Sequence, residues 1–412
     1  MFSFIKSSIS KESILGSSLF FLVLSSWYTL RPVRNEMAVA NVNELPYLLA
    51  AGAIAMLIVN PLYSWIASKS DLKKIILFCY SFLILNLMLF LFSWKTLDLG
   101  DSIWLGRIFY VWCNVYSFFV VSIFWVVIIN LYRTAKKRSF YGIIMAGGSL
   151  GAVFGSEISK RFSSSFNELG LELFSISAAL FLFLAMLLAI YMLSTSNNDE
   201  AVETDNIGGG SFDAIKNSIQ ISEIRNISYY VWLWTALMTI QWITAINIVE
   251  EWSQDSGQRI IFFATVEQVT SPITLIVQLF FTNLIIKKIG IKNILVSYGF
   301  LFFLAYLLYG LIPSIVSVGI VTVLLRVFEY GINKPTREMI FSALNKNDRY
   351  KSTVFIDTFI SRFGDLSGSG FIALGKLTTL AANIYPIIAI PITGILSIFG
   401  SRISNDLKTK DL

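Results

Sequence analysis

The sequence predicts an all-α integral membrane protein of about twelve transmembrane helices, arranged as two six-helix bundles. Three observations predict it. Apolar runs of roughly 20 residues, the length a helix needs to cross about 30 Å of hydrocarbon, recur along the whole chain. Hydrophobic residues make up 55% of the 412 and charged residues only 14%, which overrides the two or three soluble domains that length alone would suggest. Lysine and arginine gather on alternate connections, as the positive-inside rule requires of a multi-pass protein. The runs are continuous rather than alternating, which argues against a barrel.

The expected spans lie near 14–34, 45–68, 75–92, 103–130, 139–156, 171–194, 227–249, 260–286, 294–311, 314–332, 353–374 and 380–399. The first run is long and ends in Arg31 and Arg34 instead of a small-residue cleavage site, so it reads as a span and not as a leader. One set of connections carries Lys6 and Lys11, then Lys69, Lys73 and Lys74, then Arg133, Lys136, Lys137 and Arg138, then Lys216 and Arg225, then Lys287, Lys288 and Lys292, then Lys334, Arg337, Lys346, Arg349 and Lys351, and finally Arg402, Lys408 and Lys410. The alternate set carries only Lys95, Lys160, Arg161, Arg259 and Lys376. The first set, with both termini, is expected in the cytoplasm, and an even number of spans follows. The expected setting is the inner (plasma) membrane of a bacterium.

Residues 195–226 form the one long polar connection, with Asn197-Asn198-Asp199-Glu200 and Gly208-Gly209-Gly210, and read as a flexible cytoplasmic linker. The expected bundles are therefore 1–194 and 227–412. They echo each other. Basic turns follow the second and the eighth span, at Trp65–Lys74 and Leu284–Lys292. Gly147, Gly151 and Gly155 step along the fifth span as Gly364 and Gly368 do along the eleventh, a spacing that lets helix backbones approach closely.

Charges inside these spans are the candidate functional residues: Arg31, Arg34, Arg107, Glu250, Glu267, Arg326, Glu329, Arg362 and Asp365. A charge at the bilayer centre costs at least about 2.5–3.5 kcal/mol, so each needs a reason. Leu30–Met37 places Arg31 and Arg34 around Pro32, and Asn333–Met339 places Lys334 and Arg337 around Pro335. Paired cations beside a helix kink suit a multiply charged anion such as phosphate. The bland alternative is snorkelling to the membrane surface. Asn247 and Glu250 share a helix face with Thr244 one turn earlier, and Glu250 or Glu251 is a candidate gate residue near the outer mouth. Arg326 with Glu329, and Arg362 with Asp365, are each three apart and can neutralise one another. Glu267 has no local partner, so it faces a cavity or pairs across helices. Trp112, Tyr116, Trp234 and Trp242 offer stacking surfaces, although packing and interface anchoring explain such residues more often.

Absences bound the chemistry. The chain has no histidine, hence neither the usual proton carrier near neutral pH nor the commonest metal ligand. Cys79 and Cys113 fall inside spans and read as packing residues. No nucleophile–base pair or metal-ligand spacing appears, so neither an enzyme, a cofactor nor a bound metal is expected. The net charge of +6 follows the membrane pattern and does not imply nucleic acid. The expected partners are the lipid bilayer and a small anionic substrate, with the protein a monomer.

Six plus six spans, a long linker and the two basic turns resemble the major facilitator superfamily. That resemblance implies a cavity lined by spans 1, 4, 7 and 10, which here carry Arg31 and Arg34, Arg107, Glu250, and Arg326 with Glu329. The turn motif is degenerate, with Ser68 and Asp71 where that superfamily has Asp and Gly. Over most of its length the chain also resembles the bacterial and plastid ATP/ADP translocase (nucleotide transporter) family. That family's L-R-x-x-K-D-x-L-x-V is occupied by Leu30, Arg31, Arg34, Asn35, Met37 and Val39; its I-N-L-V-E by Ile246-Asn247-Ile248-Val249-Glu250; its P-x-K-E-M by Pro335-Thr336-Arg337-Glu338-Met339; and its A-I-D by Phe355-Ile356-Asp357. The resemblance implies alternating-access exchange of a nucleotide or other phosphorylated anion, with Arg34 and Arg337 on the anion, Asn114 touching the substrate and Glu250 gating. The chain departs from the family where an acid on the fourth span is replaced by Asn114, and both family lysines are arginines. The rival expectation is a proton-coupled major-facilitator transporter of a different small molecule, with Glu250, Glu267 or Asp365 carrying the proton.

Overall fold

The structure is a computed structural model that describes residues 10–69, 71–96, 103–132, 141–166, 170–195, 220–342, 352, 355–377 and 384–408. Every element among them is helical: α1 Lys11–Ala40, α2 Leu45–Lys69, α3 Leu72–Thr96, α4 Ile103–Leu131, α5 Tyr141–Phe162, α6 Glu172–Thr195, α7 Ser222–Trp252, α8 Ser256–Ile276, α9 Thr282–Leu311, α10 Ile315–Phe328, α11 Lys334–Ser342, α12 Ser361–Gly375, α13 Ile384–Ile388 and α14 Ile390–Lys408. Three π turns, Val277–Phe281, Glu329–Asn333 and Ile356–Ile360, join α8 to α9, join α10 to α11 and lead into α12. Eight helical stretches are long and apolar enough to cross a membrane, and Leu45–Val59 and Ile390–Ile403 are shorter apolar helices.

Local chemistry sets the ends. Ser10 and Ser13 form a reciprocal cap at the start of α1, and Ser314 and Ser317 repeat it at α10; each pair satisfies two backbone donors that a helix start leaves open. Between the eighth and ninth expected spans the chain stays helical except at Gly290 (φ 81°), where the basic turn was expected. That left-handed conformation suits glycine alone at low cost. Residues 196–219, most of the expected linker, lie outside the described residues, as do the cations at 133–138 and 346–351.

The chain packs as two compact units. The first comprises Met1–Asn41, Ile58–Ala201 and Ser253–Leu275; the second comprises Val42–Leu57, Val202–Trp252 and Ile276–Leu412. Each is organised by a glycine-mediated helix pair. In the first, a Cβ added at Gly147, Gly151 or Gly155 would land on the Ser17, Phe21 or Ser25 carbonyl of α1. The glycines and the carbonyls both advance in steps of four, so α1 and α5 run with their backbones touching. Ser25 Oγ donates to Gly151 O (3.3 Å) and Ser159 Oγ to Thr29 O (2.5 Å) along this seam. In the second unit, Gly364 and Gly368 of α12 meet the Trp232 and Ala236 carbonyls of α7 in the same way. The correspondence of spans 5 and 11 read from sequence is thus a correspondence of packing.

Outward faces are apolar. Phe78, Phe82, Leu85, Leu89 and Phe92 of α3 are all exposed, as are Ile176, Leu180, Phe183, Leu187 and Tyr191 of α6. A soluble protein does not leave continuous stripes of this kind uncovered; hydrocarbon is the solvent that fits them. At a helix end in the second unit, the Lys376 amine donates to Val42 O and Asn43 O, both at 2.9 Å. Burial pushes this amine below the usual lysine range, and Glu44 opposes the shift.

Candidate functional site

Charges inside each unit are held in built networks. In the first unit Arg34, half-buried in α1, donates through Nη2 to Asn114 Oδ1 (2.8 Å) and Tyr110 Oη (3.2 Å) of α4, and through Nη1 to Asn35 Oδ1 (3.2 Å). Its guanidinium carbon lies 4.5 Å from the centre of the Tyr110 ring. These contacts, to amide and phenol oxygens and to a π face, orient the guanidinium. Asn114, where the resemblance expects an acid, is one of them, and its own Nδ2 donates back to Tyr110 O (3.2 Å).

Three turns of the same unit carry carboxylate partners. Arg31 pairs with Glu267 of α8 at 3.2 Å and lies over the Tyr28 ring; of the two readings Glu267 had, pairing across helices is the one observed. Glu36 receives Arg259 in a two-pronged ion pair, Nε to Oε2 at 2.7 Å and Nη2 to Oε1 at 2.5 Å, both residues buried. Arg259 also donates to Ser253 O (2.8 Å) and Ser256 Oγ (3.2 Å). Gln268 Nε2 adds a bond to Glu157 Oε2 (2.9 Å) of α5. Arg107 donates to Asn41 Oδ1 (2.9 Å) and lies over Trp104.

In the second unit the π turn Glu329–Asn333 sets the geometry. On an ordinary helix, residues eight apart are about 80° out of line; one inserted π turn makes the pair act as if seven apart, within roughly 20° of alignment. Glu329 and Arg337 therefore face the same way and form a buried ion pair of 2.6 Å. Asn333 donates to the second Glu329 oxygen (2.6 Å) and accepts from Tyr230 Oη (2.9 Å) of α7. The Arg337 guanidinium carbon lies 5.1 Å from the centre of the Trp234 ring, and Trp234 in turn lies beside Tyr298. Neighbouring π turns are stitched together, with Thr282 Oγ1 2.5 Å from Gly331 O and Gln278 Nε2 3.0 Å from Tyr330 O.

The other sequence candidates fall as follows. Arg362 pairs with Asp365 at 2.7 Å, as their spacing predicted, and Thr239 Oγ1 donates to Asp365 (3.1 Å). Arg326 is buried in the last turn of α10. Asn247 turns its amide back to Ile243 O (2.7 Å), Glu250 is half-buried at the end of α7, Glu251 is exposed, and Lys334 is exposed at the start of α11. Trp112 packs on Tyr116 and Phe90 in the interior of the first unit. Sequence reasoning missed the Glu36–Arg259 pair, treating Glu36 as the acid trailing a motif and Arg259 as a loop cation. It also missed Tyr110, Asn333 and Tyr230; the one available signal was Tyr110, one helical turn before Asn114.

No family model matches the chain, and no curated protein matches its sequence. Solved structures do match its fold. The nucleoside transporter NupG aligns over 97% of this chain and 100% of its own at a TM-score of 0.64 and 13% identity. An auto-inhibited POT family peptide transporter aligns over 96% and 97% at 0.67 and 10% identity. A bacterial homolog of the human lysosomal transporter Spinster, inward-facing and unoccupied, aligns over 97% and 95% at 0.55 and 15% identity. The chain has the all-helical fold of these membrane transporters.

Proposed function

We propose that this protein is a secondary-active transporter, twelve-spanning and monomeric, that moves a phosphorylated organic anion of the nucleotide class by alternating access across a bacterial inner membrane. The observation that carries the anion reading is Arg34. Its guanidinium is fixed by Asn114, Asn35 and Tyr110, so its geometry is set, and a guanidinium suits a phosphate oxygen in charge and shape. Its position matches the cationic position in the first motif of the ATP/ADP translocase resemblance, which supports nucleotide exchange as the finer reading. The fold shared with a nucleoside transporter supports a cargo of that general size. Arg337 is the second cation of the resemblance, and Glu329 already meets its charge. Glu250, at the end of α7, is the proposed gate residue.

A second reading, proton-coupled movement of a different small molecule, is favoured by one observation: Glu267 and Glu329 are carboxylates buried inside spans, each in an ion pair that a proton would break. A thermal-shift screen of the purified full chain separates the readings, because a true ligand stabilises by mass action. Nucleotides and sugar phosphates should raise the melting temperature, and carboxylates and uncharged solutes without a heterocyclic base should not. A shift with uncharged solutes alone would favour the second reading.

A further inference from the structure

Of the buried polar atoms of the second unit with no hydrogen-bond partner among the described residues, three belong to side chains of one cluster: Arg337 Nε, Trp234 Nε1 and Tyr298 Oη. Arg337 lies over the Trp234 ring and the Trp234 and Tyr298 rings are 6.3 Å apart, so the three groups share one neighbourhood. All three can donate, and Arg337 and Trp234 can only donate. Buried donors normally find partners, so the cluster is matched to an acceptor that the described residues do not supply.

Charge selects what kind of acceptor. The Arg337 guanidinium is already bonded to Glu329 at 2.6 Å, and the Asp357 carboxylate also acts on it. An added phosphate would bring further negative charge into a buried site whose one cation is already balanced, which low-dielectric surroundings penalise heavily. An uncharged acceptor, a ring carbonyl or ring nitrogen, meets the donors without that cost. Asn333 and Tyr230 hold Glu329 and keep the guanidinium edge in place. We propose that Trp234 Nε1, Arg337 Nε and Tyr298 Oη form a recognition subsite for the uncharged, acceptor-bearing ring of the cargo, a heterocyclic base in a nucleotide. The inference rests on the reading of the chain as a transporter of a phosphorylated organic anion.

Trp234→Phe removes one donor and keeps a ring beneath Arg337; Tyr298→Phe removes another and keeps the packing. Binding of uridine, uridine monophosphate and ribose 5-phosphate to the full-length wild type and to both variants is the test. Uridine and uridine monophosphate should bind about tenfold more weakly to each variant, the loss expected for one hydrogen bond, while ribose 5-phosphate is unaffected. The ligand-free variants should melt no lower than wild type, since no bond within the protein is lost. Equal losses for all three probes, or no loss for any, would overturn the subsite and leave the anion reading standing. Weakened uridine binding by the variants, with no binding of ribose 5-phosphate to wild type, would support the subsite and overturn the phosphate reading instead. A lowered melting temperature of the ligand-free variants would mean that these donors serve an internal water, and would also overturn the subsite.

Discussion

At the residue scale, function turns on which groups orient each cation. Arg34 is oriented by an amide, a phenol and a ring; Arg31, Arg259 and Arg337 each face a carboxylate. Arg34→Ala should therefore abolish transport with little change in folding, since charge-assisted contacts to an anion are worth about 1.5–3 kcal/mol each. Arg34→Lys should retain measurable binding. Asn114→Asp is the sharper variant: a carboxylate at the position now 2.8 Å from Nη2 would pair with Arg34 and compete with the substrate. We expect it to bind phosphorylated ligands at least tenfold more weakly while melting no lower than wild type, as measured by ligand titration and thermal denaturation side by side. Undiminished phosphate-ester binding by Asn114→Asp would remove Arg34 from the site. The Glu36–Arg259 pair makes a different prediction. Arg259→Met alone leaves a buried carboxylate unpaired, a loss of about 3–5 kcal/mol, whereas Glu36→Leu combined with Arg259→Met should recover most of it. Chemical denaturation of the single and double variants checks this; a double variant as unstable as the single would mean that Arg259 acts through packing.

Elements were legible in the sequence to the extent that they follow from short-range periodicity. Helix positions depend on residues within one or two turns of each other, and a stepped row of glycines announces a packing seam before its partner is known; the caps at Ser10 and Ser314 and the choice of α1 as the partner of α5 were not read from the sequence. The π turn at Glu329–Asn333 was not legible, because no residue type specifies it, and with it went the alignment of Glu329 with Arg337. Spacing had offered Arg326 as the partner for Glu329. The Arg362–Asp365 pair was legible because ordinary helix geometry brings residues three apart together. Partners for Glu267 and Glu36 come from distant sequence, so local pattern alone could not name them. The glycine seam gives the element-scale prediction. Gly151→Ala would drive a methyl into the Phe21 carbonyl and force α5 away from α1, at about 1–3 kcal/mol or more for overpacking. A variant that melts and transports as wild type would mean that the seam can open without cost.

On the scale of the whole molecule, the two units are built on one plan: a glycine-mediated helix pair in each, a proline-flanked cation motif in each, and helices that offer apolar stripes to lipid. The lysine and arginine asymmetry predicts that both termini and the linker lie in the cytoplasm. A cysteine introduced at Gly209 should resist a membrane-impermeant thiol reagent in intact cells and react after lysis; ready labelling of intact cells would reverse the topology. The central claim, that a phosphorylated organic anion is carried and that Arg34 binds its phosphate, is tested most directly by uptake. Proteoliposomes containing the full chain and loaded with unlabelled nucleotide should accumulate labelled nucleotide saturably, in competition with other phosphate esters, and the same vesicles made with Arg34→Ala should accumulate none. Uptake that ignores phosphate esters, or that survives in Arg34→Ala at the wild-type rate, would contradict the account.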